Sequence, residues 1–392
     1  MSKKEDKNIT KVLLVDDQPI VAETIKSMLA GNEDFEFEYV ENPKDALKRA
    51  TEFEPTVILQ DLMMPGIDGM SLVKMYRANK HLRHVPVIVL SNTYEPDVKV
   101  QAFNVGANDY FEKRFESQDI DKELKARLLY HSNAYITRME RDQAYEQLEQ
   151  AKAALDQEIK KAAEYIHSIL PEELDNEKIK TEWRHIASTS LSGDSFDYAW
   201  LDDENFAFYI LDVSGHGVGS ALLSISALNV LRSTALNVED YKNPSRVLSF
   251  LNERFKMSEQ NDLYFTMWYG VYNIKDKLLT YAGAAHPSAI VKTGSEVTTL
   301  KSKNFLIGGL PNFEFEQSSI KLESGSELFI YTDGAYEIEK PDGTMWTFEE
   351  MLEFIKQNDS STLLDDLYKY LQKLGNSEHL EDDYTILKLI LK

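Results

Sequence analysis

Two groups of carboxylates stand where apolar runs end. In the first, Asp16 and Asp17 follow "KVLLV" (11–15), and Asp61 follows "TVILQ" (56–60). Ser91 follows "VPVIVL" (85–90), and Lys113 follows "DYFE" (109–112). In the second group, Asp194 and Asp197 lie in "SGDSFDY" and Asp212 falls near the end of "NFAFYILDV". Asp333 follows "ELFIY", and Asp382 and Asp383 precede "YTILKLIL". Clustered acids repel unless a cation neutralises them, and hard divalent ions such as Mg²⁺ or Mn²⁺ take oxygen ligands. In the first group, the Lys and the hydroxyl add donors for an oxyanion, such as a phosphoryl group carried on an aspartate.

The stretch "YILDVSGHGVGSALLS" (209–224) admits several chemistries and excludes three. It has no Lys for a phosphate-binding loop of the G-x-x-x-x-G-K-[ST] kind. Its glycines run G-x-G-x-G rather than G-x-G-x-x-G. Ser214 lacks the G-x-S-x-G frame of a nucleophile elbow. What remains is an acid at a strand end, followed by backbone that glycine lets approach a ligand closely. His216 and His286 are expected to support loops rather than bind metal, because the surrounding ligand set is oxygen.

These residues need scaffolds to bring them together. Up to about residue 130, short β-branched runs alternate with helical patterns at "PIVAETIKSMLA", "PKDALKRATEF" and "DVKVQAFNVGA", which predicts a doubly wound α/β domain of flavodoxin-like type. Its site then lies at the carboxyl ends of parallel strands. Residues 131–172 lack glycine and carry a heptad seam. Leu148, Leu155, Ala162 and Ile169 form one row; Tyr145, Lys152, Ile159 and Ile166 form the other. A helical coiled-coil linker, ended by Pro171 and able to pair two copies, is expected there. Residues 173–392 read as an α+β domain with antiparallel sheets, and helices are expected at 218–234, 244–258, 347–357 and 360–374. The domains are therefore placed at 10–130, 131–172 and 173–392.

Composition narrows the function. With 43 basic and 66 acidic residues, the net charge of −23 argues against nucleic acid as partner. The absence of cysteine removes thiolate catalysis and disulfides. "MSKKEDKNIT" has no apolar segment of a signal peptide, and no run is long enough for a membrane helix, so a cytoplasmic protein without a membrane partner is expected.

"LLVDDQP", "ILQDLMMPGIDG", "VIVLSN" and "GANDYFEKRF" resemble the motifs of response-regulator receiver domains. The resemblance implies that Asp61 is the phosphoacceptor, loaded by a cognate histidine kinase. Asp16, Asp17 and Asp61 would hold Mg²⁺, Ser91 and Lys113 would contact the phosphoryl group, and Tyr110 would be the switching aromatic. The family usually places Pro after its Lys, whereas Arg114 stands here. A non-proline cis bond costs about 3–4 kcal/mol, so a trans or reshaped loop is expected.

"SGDSFDY", "DVSGHGVGSAL", "YAGAAHPSAI", "YTDGAYE" and "EDDYTIL" together resemble the metal-dependent protein phosphatases, 2C-like, of the bacterial sporulation and stress-response branch (the SpoIIE type). The resemblance implies an αββα sandwich and two Mn²⁺ or Mg²⁺ ions, with Asp212, Asp333 and Asp382 as the catalytic acids. Asp194 and the Val213 carbonyl would join them as ligands, and Asp197 is a weaker candidate. The implied activity is hydrolysis of phosphoserine or phosphothreonine in a protein, here an anti-sigma-factor antagonist in a partner-switching pathway. The alternative is a catalytically weak scaffold that sequesters a signalling partner.

Overall fold

Strand runs that are apolar at every position need both faces covered, and the N-terminal part of the chain provides this. In the computed structural model, residues 9–92, 95–117, 119–233, 235–377 and 380–392 are described, so most of "MSKKEDKNIT" and the last residue of the helix expected at 218–234 fall outside. The chain divides into two compact units, Met1–Ala153 and Ala154–Lys392.

The first unit is built on β1 (Thr10–Val15), β2 (Phe35–Val40), β3 (Val57–Asp61), β4 (Val87–Ser91) and β5 (Asp109–Glu112). All are parallel, in the order β2-β1-β3-β4-β5. Between them run α1 (Pro19–Leu29), α2 (Ala46–Phe53), α3 (Gly69–Ala78) and α4 (Pro96–Asn104). Leu13, Val15, Ile58 and Val89 face Ala50, Leu72 and Tyr76, whereas Val12, Leu14, Leu59 and Leu90 face Ile25, Leu124 and Leu128. This is the doubly wound sheet that the sequence implies.

The helix expected from residue 131 starts earlier. α5 spans Ile120–Ser168, so the closing helix of the first unit and the linker are continuous. No Gly or Pro interrupts that stretch. Its first turns are anchored by buried Leu124 and Leu128, and the Ser132 hydroxyl donates to Thr56 Oγ1 at 2.7 Å. Farther along, Tyr145, Leu148 and Leu155 are each at least 60% exposed, an apolar row with no covering element among the described residues.

The second unit contains two five-stranded antiparallel sheets. Its strands are β6 (Ile179–Ile186), β7 (Ser195–Trp200), β8 (Asn205–Val213), β9 (Phe265–Asn273), β10 (Leu278–Ala284), β11 (Ala289–Thr293), β12 (Glu296–Leu300), β13 (Ser318–Lys321), β14 (Glu327–Tyr331), β15 (Ile338–Glu339), β16 (Met345–Trp346) and β17 (Tyr384–Leu391). The sheet orders are β13-β10-β9-β8-β7 and β12-β11-β14-β17-β6, with β15-β16 a small separate hairpin. Helices follow as α6 (Val218–Arg232), α7 (Val238–Tyr241), α8 (Pro244–Arg254), α9 (Phe348–Gln357) and α10 (Leu363–Leu374).

Strand alternation sorts the layers. Along β8, Phe206, Phe208 and Ile210 meet Ile330 and Leu387 of the other sheet, while Tyr209, Leu211 and Val213 pack on Leu223 and Leu248 of α6 and α8. Along β17, Leu387 and Leu389 point inward, and Ile386 packs on Ile355 and Leu367 of α9 and α10. The result is a helix–sheet–sheet–helix sandwich.

Candidate functional site

In the first unit, the β1–β3 pairing of Val15 with Gln60 brings Asp16 and Asp61 to the same sheet edge. Asp16, Asp17 and Asp61 each offer an oxygen within 4.8 Å of the others. Lys113, one residue past β5, reaches back over them, with Nζ 2.8 Å from Asp16 Oδ2 and 2.7 Å from Asp61 Oδ1. Burial raises the Asp61 carboxyl above its ordinary range, and Lys113 only partly opposes that. Asp61 Oδ2 and Asp17 Oδ1 are buried without a hydrogen-bond partner, which suits a cation held between them. Ser91 and Tyr110 are buried on the neighbouring strands β4 and β5.

The Lys113–Arg114 peptide is trans, as expected without proline. Lys113 N–H donates to the Ser91 carbonyl at 2.8 Å and Arg114 N–H to the Glu112 carbonyl at 2.8 Å. A proline at 114 would have no hydrogen for the second bond.

In the second unit, acids from both sheets converge. Asp194 precedes β7, Asp212 lies near the end of β8, Asp333 follows β14, and Asp382 precedes β17. Asp194 is buried and accepts from the Thr332 hydroxyl at 2.8 Å. Burial first, then the charge on Asp212, raises its carboxyl well above the usual range. Burial and the charges of Asp333, Asp382 and Asp383 push Asp212 up to about 7, despite a hydrogen bond with Asp194. Burial and the charge of Asp382 push Asp333 up to about 6. No basic side chain forms an ion pair with these acids among the described residues. They are also spread more widely than the receiver acids: among the described residues, only the first group gathers three ligand atoms within 4.8 Å.

Local backbone fixes this arrangement. Gly217, at φ +91°, takes a conformation that side chains disfavour and turns the chain from β8 into α6. A Cβ at Gly334 would lie 2.1 Å from the Asp383 carbonyl oxygen, so only glycine permits this approach of the β14 and β17 ends.

Sequence reasoning did not assign a role to Asp383. Its Oδ1 accepts from Ser188 N–H and Ser188 Oγ, both at 2.8 Å, and its Oδ2 accepts from Gly193 N–H at 2.7 Å. Both oxygens are thus committed to the loop that presents Asp194. Asp382 is exposed and faces differently, with Oδ1 accepting from Asp383 N–H at 2.8 Å. The signal was the doubled acid before a strand, where neighbours point to opposite sides.

Comparison with known proteins agrees with this geometry. Residues 12–125 match the response regulator receiver domain, and residues 202–392 match the stage II sporulation protein E family. The chain joins a receiver domain to a domain of the SpoIIE family. It is 26% identical over 249 residues to the phosphoserine phosphatase RsbP of Bacillus subtilis, covering 62% of this chain and 60% of that protein. It is 26% identical over 216 residues to the phosphoserine phosphatase RsbU of the same organism, covering 52% of this chain and 61% of that one. The chain thus spans about three fifths of the length of these relatives. The fold resembles the SiaA-PP2C domain of Pseudomonas aeruginosa, with TM-score 0.54 and 17% identity over 62% of this chain and 98% of that one.

Receiver and SpoIIE-family domains use divalent metal ions, and the donor sets here are oxygens in both units. Within the SpoIIE-family domain, Asp197 lies apart from the acid cluster. Its Oδ2 pairs with Arg232 Nε at 2.7 Å, which removes it from the candidate ligands. Strand alternation explains this, because Asp197 faces the helix layer. Val213 is buried, next to Asp212 on β8. His216 is exposed on the glycine loop. His286 is buried, with Nδ1 2.7 Å from Thr266 Oγ1, and burial pushes it down to about 3, so it is neutral and holds its loop to β9.

Proposed function

We propose that this chain is a cytoplasmic response regulator whose SpoIIE-family domain hydrolyses phosphoserine or phosphothreonine in a protein, and that phosphorylation of Asp61 controls this activity. The observation that carries the reading is the convergence of Asp194, Asp212, Asp333 and Asp382, with Asp212 raised to about 7 and no basic side chain paired with it among the described residues. Such a cluster favours divalent cations over protons at neutral pH. We assign Asp212, Asp333 and Asp382 to hold the ions, with Asp194 and the Val213 carbonyl completing the donor set. Bound there, Mn²⁺ or Mg²⁺ supplies an activated water and charge neutralisation for attack on phosphorus. The chain's own part is to fix these oxygens, through Thr332 on Asp194 and through Asp383 on the Asp194 loop. The P–O bond to the serine or threonine breaks, and its oxygen leaves with a proton from solvent.

In the receiver, Asp61 would accept the phosphoryl group of a histidine kinase as the P–N bond breaks. Lys113, already 2.7 Å from Asp61 Oδ1, is placed to pair with the added charge, and Ser91 and Tyr110 would respond to it. The domain boundaries at 130/131 and 172/173, and pairing of two copies along the exposed Tyr145, Leu148 and Leu155 row, belong to the same reading. An anti-sigma-factor antagonist is the proposed substrate, in view of the likeness to two phosphoserine phosphatases.

The test is Mn²⁺-dependent phosphate release from p-nitrophenyl phosphate and from a serine-phosphorylated antagonist protein. It compares the full chain with Asp212→Asn and with Asp61→Asn, each with and without an acyl-phosphate donor. Equal rates for the full chain and Asp212→Asn would favour the scaffold alternative. A donor response that survives Asp61→Asn would remove receiver control.

A further inference from the structure

β6 and β17 pair antiparallel with His185 directly opposite Thr385, so the two side chains stand on one face of the sheet. There the His185 ring lies 6.2 Å from that of Phe196, between the two sheets. His185 Nδ1 is 2.9 Å from Thr385 Oγ1. Burial pushes the ring down to about 4, so at neutral pH it is uncharged and carries a single N–H.

Thr385 belongs to the hydrogen bonds around Asp194. Its N–H donates to Thr332 Oγ1 at 3.2 Å, and the Thr332 hydroxyl donates to Asp194 Oδ2 at 2.8 Å. The Thr385 hydroxyl also favours the ionised Asp194 carboxylate by a hydrogen bond of its own. A hydroxyl has one proton to give, and an ionised carboxylate only accepts. With the Thr385 proton directed at Asp194, the contact to His185 needs its donor on the imidazole, which fixes the tautomer with hydrogen on Nδ1.

We propose that His185 is a positioning residue for the metal centre: its Nδ1–H holds the Thr385 hydroxyl in the rotamer that gives its proton to Asp194, and so orients that carboxylate. His185 itself touches neither ion nor substrate. The role rests on Asp194 being a metal ligand in the proposed function.

The test measures, on the full chain, the Mn²⁺ concentration for half-maximal phosphate release from p-nitrophenyl phosphate. A second readout is the Mn²⁺-induced rise of the melting midpoint by tryptophan fluorescence, since every tryptophan lies in the second unit. His185→Phe keeps a ring without a donor. It should raise the Mn²⁺ requirement about three- to tenfold, the worth of one hydrogen bond behind a ligand, and shrink the midpoint rise. His185→Asn places an amide N–H where Nδ1 stood and should restore both readouts to within about twofold. In a Thr385→Val background, His185→Phe should add nothing. An unchanged Mn²⁺ requirement in His185→Phe, His185→Asn as impaired as His185→Phe, or additive losses in the double variant overturn the role. Circular dichroism checks folding; where His185→Phe does not fold, His185→Gln, whose donor reaches the place of Nε2 instead, replaces it with the same expectation. Asp194→Asn separates the two claims. An unchanged Mn²⁺ requirement there removes Asp194 as a ligand, whereas a raised one beside an unaffected His185→Phe overturns the His185 role alone.

Discussion

Asp383→Ala should unfold the second unit more readily and weaken its metal binding without deleting a proposed ligand. The carboxylate accepts Ser188 N–H, Ser188 Oγ and Gly193 N–H at 2.7–2.8 Å. After truncation the Ser188 hydroxyl can turn to water, but the two backbone donors cannot leave. Gly193 is buried, so its unpaired N–H costs about 2–3 kcal/mol, and the part-buried Ser188 N–H adds about 1 kcal/mol. The expected loss is therefore about 3–4 kcal/mol. Asp383→Asn keeps one acceptor oxygen and should lose about half of that. Urea denaturation followed by tryptophan fluorescence isolates the effect, because Trp183, Trp200, Trp268 and Trp346 all lie in the second unit. Slack in the Gly193 backbone also displaces the adjacent Asp194. The Mn²⁺ concentration for half-maximal phosphate release should rise about 10-fold or more, as when other groups that orient ligands are removed. A loss below about 0.5 kcal/mol with an unchanged Mn²⁺ requirement would refute the clamp.

Asp212→Asn removes one charge from the repelling cluster; phosphate release should fall by about 10²-fold or more while the metal-free thermal midpoint rises. Stability of the metal-free second unit should depend on pH. The folded carboxyls of Asp212 and Asp333 stand near 7 and 6 against an ordinary 3.8, so between those values the folded state holds more protons than the unfolded one. Stability therefore falls as pH rises from about 4 to 7, and fluorescence melts at pH 5 and 8 should show the higher midpoint at pH 5. Saturating Mn²⁺ should flatten or reverse that slope. Lys113→Met leaves Asp16 and Asp61 buried without their cation, a change worth about 3–5 kcal/mol that far-UV circular dichroism can follow, with Mg²⁺ restoring part of it.

Legibility in the sequence followed burial. "NFAFYILDV" and "YTILKLIL" coincide with β8 and β17, interior strands whose side chains are buried on both faces. β6, β12 and β13 were not anticipated, and all three are edge strands; the short interior strand β11 was not anticipated either. Edges face water and carry mixed sequences such as "IKTEWRHI" and "EVTTL", so their periodicity is weak. The start of α5 was missed because composition changes at residue 131 while the backbone does not: the turns before it are apolar on one face only because they pack on the sheet. The acids themselves were legible, since strand ends followed by glycine mark them. The separation of Asp197 from Asp194 was readable in principle from strand alternation. The Asp383 clamp was not, because its partners Ser188 and Gly193 lie 195 and 190 residues away and meet it only once β17 has paired with β6.

The two acid sites solve one electrostatic problem by different means. In the receiver, Lys113 lies within 2.8 Å of two of the three carboxylates, so the fold carries its own counter-charge. A cation entering that site would compete with the lysine for the carboxylate oxygens, whereas the proposed phosphoryl group on Asp61 would take the lysine as its partner. In the SpoIIE-family domain no lysine or arginine pairs with the cluster among the described residues, and burial together with the mutual repulsion raises the carboxyl pKa values. Compensation there has to come from protons or from bound cations, and at neutral pH protons are too scarce to hold every carboxyl neutral. The same absence that makes this cluster costly to fold leaves its oxygens open for metal, and the hydrogen bonds of Thr332 and Asp383 hold the backbone against the strain. An inserted lysine would relieve the repulsion and occupy the oxygens at once, so stability gained there is activity lost.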